Sequence, residues 1–194
     1  MRGFSFLGIV SVGLLFLANG GLSAPVFENN EVVDVISSST CRPIELDFGR
    51  YLGKWYEIGR SFFFIFGVGC KCTTAEYSSL DDGEIGIKNS CIQFGKDVVI
   101  NGVGNATEGS LGALEVEFKD IPFSGKANYN VLWVDDDYKN AIVASCDLPF
   151  VGYNVWILSR EKDMGDDQYK EMLNKIKDLG FNTWMIIKTD QTNC

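Results

Sequence analysis

The sequence predicts an all-β protein, an antiparallel β-barrel with one α-helix near its C-terminus, on three observations. Beyond residue 41, short apolar segments alternate with turn signals at intervals of about eight to twelve residues, the rhythm of an antiparallel sandwich or barrel. Within one segment Leu114, Val116 and Phe118 interleave with Glu115 and Glu117, so one face of that strand is dry and the other wet. Near the end, Tyr169, Met172, Leu173 and Ile176 repeat at helical spacing. Eight or nine strands would expose many edges, and closing the sheet on itself removes them.

From the N-terminus, Arg2 precedes an apolar run from Phe4 to Ala18 that is short for a membrane span and suits a signal-peptide core. Cleavage after Gly20 puts Ala18 and Gly20 at the small-residue positions, a better fit than cleavage after Ala24, where Leu22 and Pro25 intrude. Residues 21–40 carry Glu28, Glu31, Asp34 and a Ser-Ser-Ser-Thr tail with no basic residue, the composition of a loose arm. The packed domain is expected over 41–194. It opens with a strand at Gly53–Gly59, followed by a hairpin, Thr73–Leu80 and Glu84–Gln93, around Asp81-Asp82-Gly83, which supplies positive-φ turn positions. Further strands are expected at Asp97–Val103, Ala106–Ser110, Ala113–Phe118, Tyr129–Val134, Ala141–Ser145 and Asn154–Ser159. Asp166 is placed to cap the helix and Gly180 to end it, with the apolar stripe packed outside the barrel. A short strand, Thr183–Lys188, then leads to Cys194.

The net charge of −9 has the wrong sign for a phosphate-backbone binder, so nucleic acid is not an expected partner. All six cysteines lie beyond the leader, and that even number in an oxidising compartment reads as up to three disulfides. Zinc is the competing reading for Cys70-Lys71-Cys72, but the chain has no histidine to complete a site, and no metal is expected. The lack of histidine also removes Ser-His-Asp and Cys-His catalysis. Asp135, Asp136 and Asp137 read as a solvated turn ahead of a strand rather than a calcium or acid-base cluster. Asn105-Ala106-Thr107 is an acceptor for N-glycosylation on the secretory route. A secreted, extracellular binding protein with no catalytic residues or catalytic cofactor is the class these features leave.

Three separated blocks narrow the class further. Tyr51-Leu52-Gly53-Lys54-Trp55-Tyr56-Glu57-Ile58 contains a Gly-x-Trp, Asp136-Asp137-Tyr138-Lys139-Asn140-Ala141 precedes a strand, and Trp156-Ile157-Leu158-Ser159-Arg160 ends one. In this order and followed by the helix, they resemble the lipocalin family, in particular the branch with apolipoprotein D, the insect bilin-binding proteins and the crustacyanins. Asp136 departs from the family's usual Thr. The resemblance implies an eight-stranded up-and-down barrel whose motif residues are Gly53, Trp55, Asp137, Tyr138 and Arg160. Trp55 would plug the closed end, with Arg160 across its indole. It also implies the disulfides Cys41–Cys146 and Cys72–Cys194, leaving Cys70–Cys91 as an extra pair. The hairpin brings Cys91 nearly opposite Cys72, so Cys72–Cys91 with Cys70–Cys194 remains the rival pairing.

By the same resemblance, the ligand is a small hydrophobic molecule of the biliverdin, carotenoid, retinoid, fatty acid or steroid class, and Tyr77, Phe118 and Trp156 occupy pocket-lining positions. A bound chromophore, bilin or carotenoid, falls within that range. The loop Ser61-Phe62-Phe63-Phe64-Ile65-Phe66-Gly67-Val68-Gly69 holds too much aromatic surface to leave in water. Phe63, Phe64 and Phe66 are therefore expected to cover the mouth, and the Phe62–Phe66 loop to serve homo- or hetero-oligomer or transient membrane contact. Action mainly through protein contacts, or as an isomerase using a free pocket cysteine, are the alternatives.

Overall fold

Each of the first eight strands pairs with its sequence neighbour, and the eighth returns to the first, so the sheet closes. The computed structural model describes residues 41–62, 64, 67–107, 110–118, 125–148 and 152–194; the predicted leader and arm lie outside them. A helical turn α1 (Phe48–Tyr51) leads into β1 (Gly53–Ser61), β2 (Cys70–Ser79), β3 (Ile85–Gln93), β4 (Lys96–Thr107) and β5 (Ser110–Phe118). β6 (Lys126–Val134), β7 (Asn140–Leu148) and β8 (Gly152–Ser159) complete the barrel, and helix α2 (Asp166–Asp178) and a short strand β9 (Ile186–Lys188) follow. The sheet order runs β2 through β8 to β1, with β1–β2 pairing as the closure.

β1 belongs to two parts of the wall. Its first residues, Gly53–Tyr56, pair with β2, while Tyr56–Arg60 pair with β8. A register shift between Glu57 and Gly59 bends the strand away from β2, and β9 fills the vacated edge through Gly59↔Lys188 and Arg60↔Ile187. Gly59 permits this approach, because a Cβ there would sit 3.1 Å from the Ile187 carbonyl oxygen and the Tyr169 hydroxyl.

Two apolar layers result. Leu46, Tyr51, Trp55, Tyr77, Ile87, Leu114, Val116, Val131, Val143 and Leu158 fill the barrel, whereas Met172 and Ile176 of α2, with Met164 and Phe181, cover Ile58, Leu132, Ile142, Val155 and Ile157 on its outer wall.

Three local expectations are corrected. Ala106–Ser110 is not a separate strand, because β4 runs to Thr107 and Ser110 already belongs to β5. Within β4, Gly102 is a place of close approach: a Cβ there would meet the Phe118 ring at 2.7 Å. Asp166 does not cap α2; Gly165 holds the cap position without a side-chain bond, and Asp166 and Asp167 sit in the first turn, where negative charge suits the helix dipole. The predicted strand Thr183–Lys188 is a 3₁₀ turn over Thr183–Met185 before β9, since Asn182 accepts a bond from the Trp184 N–H and starts that turn. Gly180 does end α2: at φ +90° it donates to Lys177, and Phe181 donates to Ile176, a Schellman closure.

All six cysteines are bridged, Cys41–Cys146, Cys70–Cys91 and Cys72–Cys194. A bulge decides between the two pairings the hairpin left open. Lys71 pairs with Ile92 and Thr74 with Ser90, so Cys72 and Thr73 together face Cys91. Cys72 takes φ +57° and its N–H donates to Asp190 at 2.8 Å, which turns it out of the ladder toward the C-terminal tail and Cys194.

The closed end is built on Trp55, which is fully buried, donates from Nε1 to the Tyr51 carbonyl at 2.8 Å and lies under the Arg160 guanidinium at 3.8 Å. Arg160 donates to the carbonyls of Arg50, Tyr51, Leu52, Lys54 and Tyr138. Trp55→Ala should cost about 3–5 kcal/mol, read as a lower denaturant midpoint with an unchanged m value. An unchanged midpoint would show that the indole is not the plug.

Candidate functional site: the barrel interior

Alternation along β8 sorts inside from outside. Val155 and Ile157 pack in the layer under α2, and Trp156 and Leu158 pack with the residues inside the barrel. Register carries the same face to β1, where Glu57 lies opposite Leu158 and Arg60 opposite Trp156. The mouth is the end where β1 leaves and β2 enters, so Trp156 and Phe118 lie on its side of the barrel and Trp55 and Tyr51 on the other.

Of the sequence-derived ligand residues, Trp156 and Phe118 are half-buried at the edge of the inner layer, and Tyr77 is buried deeper within it. Phe64 folds onto Trp156 edge to face, with ring centres 5.1 Å apart, while Phe62 is 61% exposed. Phe63 and Phe66 lie outside the described residues. Asn105 is exposed on β4, where a glycan could be accommodated. Gly53 has φ +92° and brings its backbone to Arg160, and the Tyr138 hydroxyl accepts from the Asp47 N–H at 3.0 Å. The Asp137 carboxylate is exposed, 3.8 Å from Lys139 Nζ. Asp135 instead braces that turn, accepting from the Lys139 N–H and the Asn140 amide.

Sequence reading placed Tyr77 in the interior but missed the polar residues around it. Tyr129 Oη lies 2.7 Å from Tyr51 Oη and 2.6 Å from Tyr77 Oη. Three hydroxyls carry three protons and make two bonds with one another, so one O–H remains to donate elsewhere. Burial pushes all three phenols well above their ordinary ionisation range and keeps them neutral.

Nearer the mouth, Glu57 and Arg60 form a buried ion pair at 2.7 Å. The Thr189 hydroxyl donates to Glu57 at 2.6 Å, and Arg60 also donates to the Gly67 carbonyl, tying the β1–β2 loop to the C-terminal tail. Burial pushes the Glu57 carboxyl up, against the pull of Arg60 and Thr189. Gln191 donates to the carbonyls of Glu57 and Thr73, bridging β1 and β2 where they part. The alternation through Trp55 and Glu57 was the available signal for an inward carboxylate; its partner required the bulge.

A depression of about 280 Å³, lined by Lys54, Tyr56, Ile92, Lys162, the Cys72–Cys194 bridge and Gln191, opens to solvent beside the tail. Among the described residues, no cluster of three metal-ligating side chains forms.

Residues 46–191 match the family model for the lipocalin-like domain. This chain belongs to the lipocalin family. It is 35% identical over 153 residues to the outer membrane lipoprotein Blc of Escherichia coli K12, covering 75% of this lipocalin and 79% of Blc. It is 31% identical over 156 residues to apolipoprotein D of Mus musculus, covering 76% and 78%. Insecticyanin from the tobacco hornworm Manduca sexta shares the fold, with a TM-score of 0.64 at 22% identity over 77% of this lipocalin and 83% of that chain. Lipocalins generally bind small hydrophobic ligands and are generally not enzymes. In this lipocalin the cysteine-dependent isomerase reading lacks its thiol, since no cysteine is free.

The buried phenols set a pH dependence. In the unfolded chain tyrosine loses its proton near pH 10, whereas Tyr51, Tyr77 and Tyr129 hold theirs while folded. Above about pH 10 the unfolded state therefore binds fewer protons than the native state, and stability falls as pH rises. The melting temperature should drop through that range, with part of the phenolate absorbance appearing only on unfolding. Complete ionisation in an intact barrel would contradict the buried cluster.

Proposed function

We propose that this lipocalin is a secreted carrier that holds a small lipophile in the mouth-side half of its barrel, between Trp156 and Phe118 and beneath the β1–β2 loop. The observation that carries this reading is Phe64, whose ring packs on Trp156 from that loop and so provides an aromatic cover to an aromatic wall. Trp156 adds one polar N–H to a large apolar face, which suits a planar or elongated ligand with few heteroatoms. Bilins, carotenoids, retinoids, fatty acids and steroids are the candidates. Three disulfides and the exposed acceptor Asn105 support passage through the secretory route, with glycosylation there.

A second role favours the rim. Val68 and Phe94 are 55% and 78% exposed and adjacent, since the Phe94 N–H donates to the Gly69 carbonyl and Gln93 to the Val68 carbonyl. With Phe62 they supply apolar surface for self-association at the mouth.

Native protein from a secreting host should show an absorbance band of its ligand: in the red for a bilin, in the visible for a carotenoid, in the near ultraviolet for a retinoid. In the triple variant Phe63→Ser, Phe64→Ser, Phe66→Ser, lipophile binding should weaken and release quicken, with the ligand-free stability within about 1 kcal/mol of the parent. A loss of several kcal/mol would assign the loop to the core, and unchanged affinity and release would remove its role as a cover. Sedimentation of Phe94→Ser reads the rim separately.

A further inference from the structure

Asn154 brings into the barrel an amide oxygen that nothing among the described residues meets. The residue is 7% exposed, and its Oδ1 has no hydrogen-bond partner. It stands two residues from Trp156 on β8 and therefore faces the interior, as Val155 between them faces α2. Directly across the ladder on β7 is Ser145, also buried. Extending the pair Asn130↔Ala144 by one residue places Tyr129 beside Ser145 on β6. Asn154 and Ser145 are thus polar neighbours on β8 and β7, the Tyr129 hydroxyl being taken up by Tyr51 and Tyr77, and Val131, Val143, Trp156 and Leu158 line the same wall. A buried amide oxygen left without a donor destabilises the fold, and Leu would fill the same volume without that cost.

We propose that Asn154 is the polar anchor of the bound lipophile, and that the ligand carries a hydroxyl group that donates to Asn154 Oδ1 and accepts from Ser145 Oγ. Resting on the carrier reading above, this narrows the ligand to amphiphiles of the alcohol class. A hydroxyl supplies the donor the amide oxygen lacks and uses the proton Ser145 can offer, whereas an ether or hydrocarbon of the same shape leaves Asn154 unmet.

The test uses the full secreted chain stripped of bound lipid, with N-phenyl-1-naphthylamine as the fluorescent occupant of the barrel. It is displaced by 1-dodecanol or by 1-methoxydodecane, in which a methyl group replaces the hydroxyl hydrogen. The parent should release the probe at about tenfold lower dodecanol than ether, the effect of one hydrogen bond in a dry site. Asn154→Leu should abolish that preference while leaving displacement by the ether unchanged, and its ligand-free melting temperature should equal or exceed the parent's. Ser145→Ala should reduce the preference in part. Equal displacement by both compounds in the parent would overturn the anchor and leave the carrier reading standing. A preference that survives in Asn154→Leu, or a marked fall in that variant's melting temperature, would assign Asn154 to the fold and overturn the proposal. Failure of the stripped protein to take up the probe at all would overturn the carrier reading and the anchor with it.

Discussion

The stack of Arg160 on Trp55 closes one end of this barrel, and the asymmetry of the molecule follows from it. The guanidinium satisfies carbonyls at the C-terminal end of α1 that the four-residue helix cannot satisfy internally, while its flat face covers the indole. One cation thereby joins the start of β1 to the end of β8, the seam where a sheet becomes a barrel. A lysine could supply the charge but neither the stacking nor the fan of donors.

With that end sealed, the opposite end can tolerate looser and more polar construction. β1 departs from β2 after Tyr56, and the gap is filled by the short strand β9 and the C-terminal tail that follows it. Thr189, Glu57, Arg60 and Gly67 link tail, wall and loop in one buried network, so the loop carrying Phe64 is anchored through an ion pair. Breaking either member would strand a charge in a dry site, which is far more destabilising than replacing both. The Cys72–Cys194 bridge fixes the tail that supplies Thr189 and Gln191 to this network.

The interior combines two kinds of polarity. The tyrosine cluster is satisfied almost wholly within itself and held neutral by burial, while Asn154 is unsatisfied. Thr73 Oγ1, Asn140 Oδ1 and Gln191 Oε1 share that state, and on the wall that carries Trp156 a ligand would contribute the partner Asn154 lacks.

Much of this was legible in the chain. Alternation of Leu114, Val116 and Phe118 with glutamates marked a one-sided strand, the Tyr169–Ile176 spacing marked the outer helix, and Gly53, Trp55 and Arg160 marked the closed end, because each depends on local periodicity or on a motif short enough to read. The remainder depends on register between strands distant in sequence. Gly102 was expected inside a strand, but the reason for a glycine there emerges only from Phe118, which needs the space its missing Cβ leaves. Cys70 and Cys72 differ in partner only because a bulge rotates one of them out of the ladder. Glu57 and Arg60 face each other because a second bulge restores an inward direction that simple alternation would have reversed. The sequence by itself determined the class of fold, which follows from periods of two and 3.6 residues, and its motif resemblance to the lipocalins implied the residues of the sealed end. Tertiary structure decided the pairing of the hairpin cysteines, the polar lining and the seat of Phe64, since a one-residue shift in long-range pairing reverses which side chains point inward.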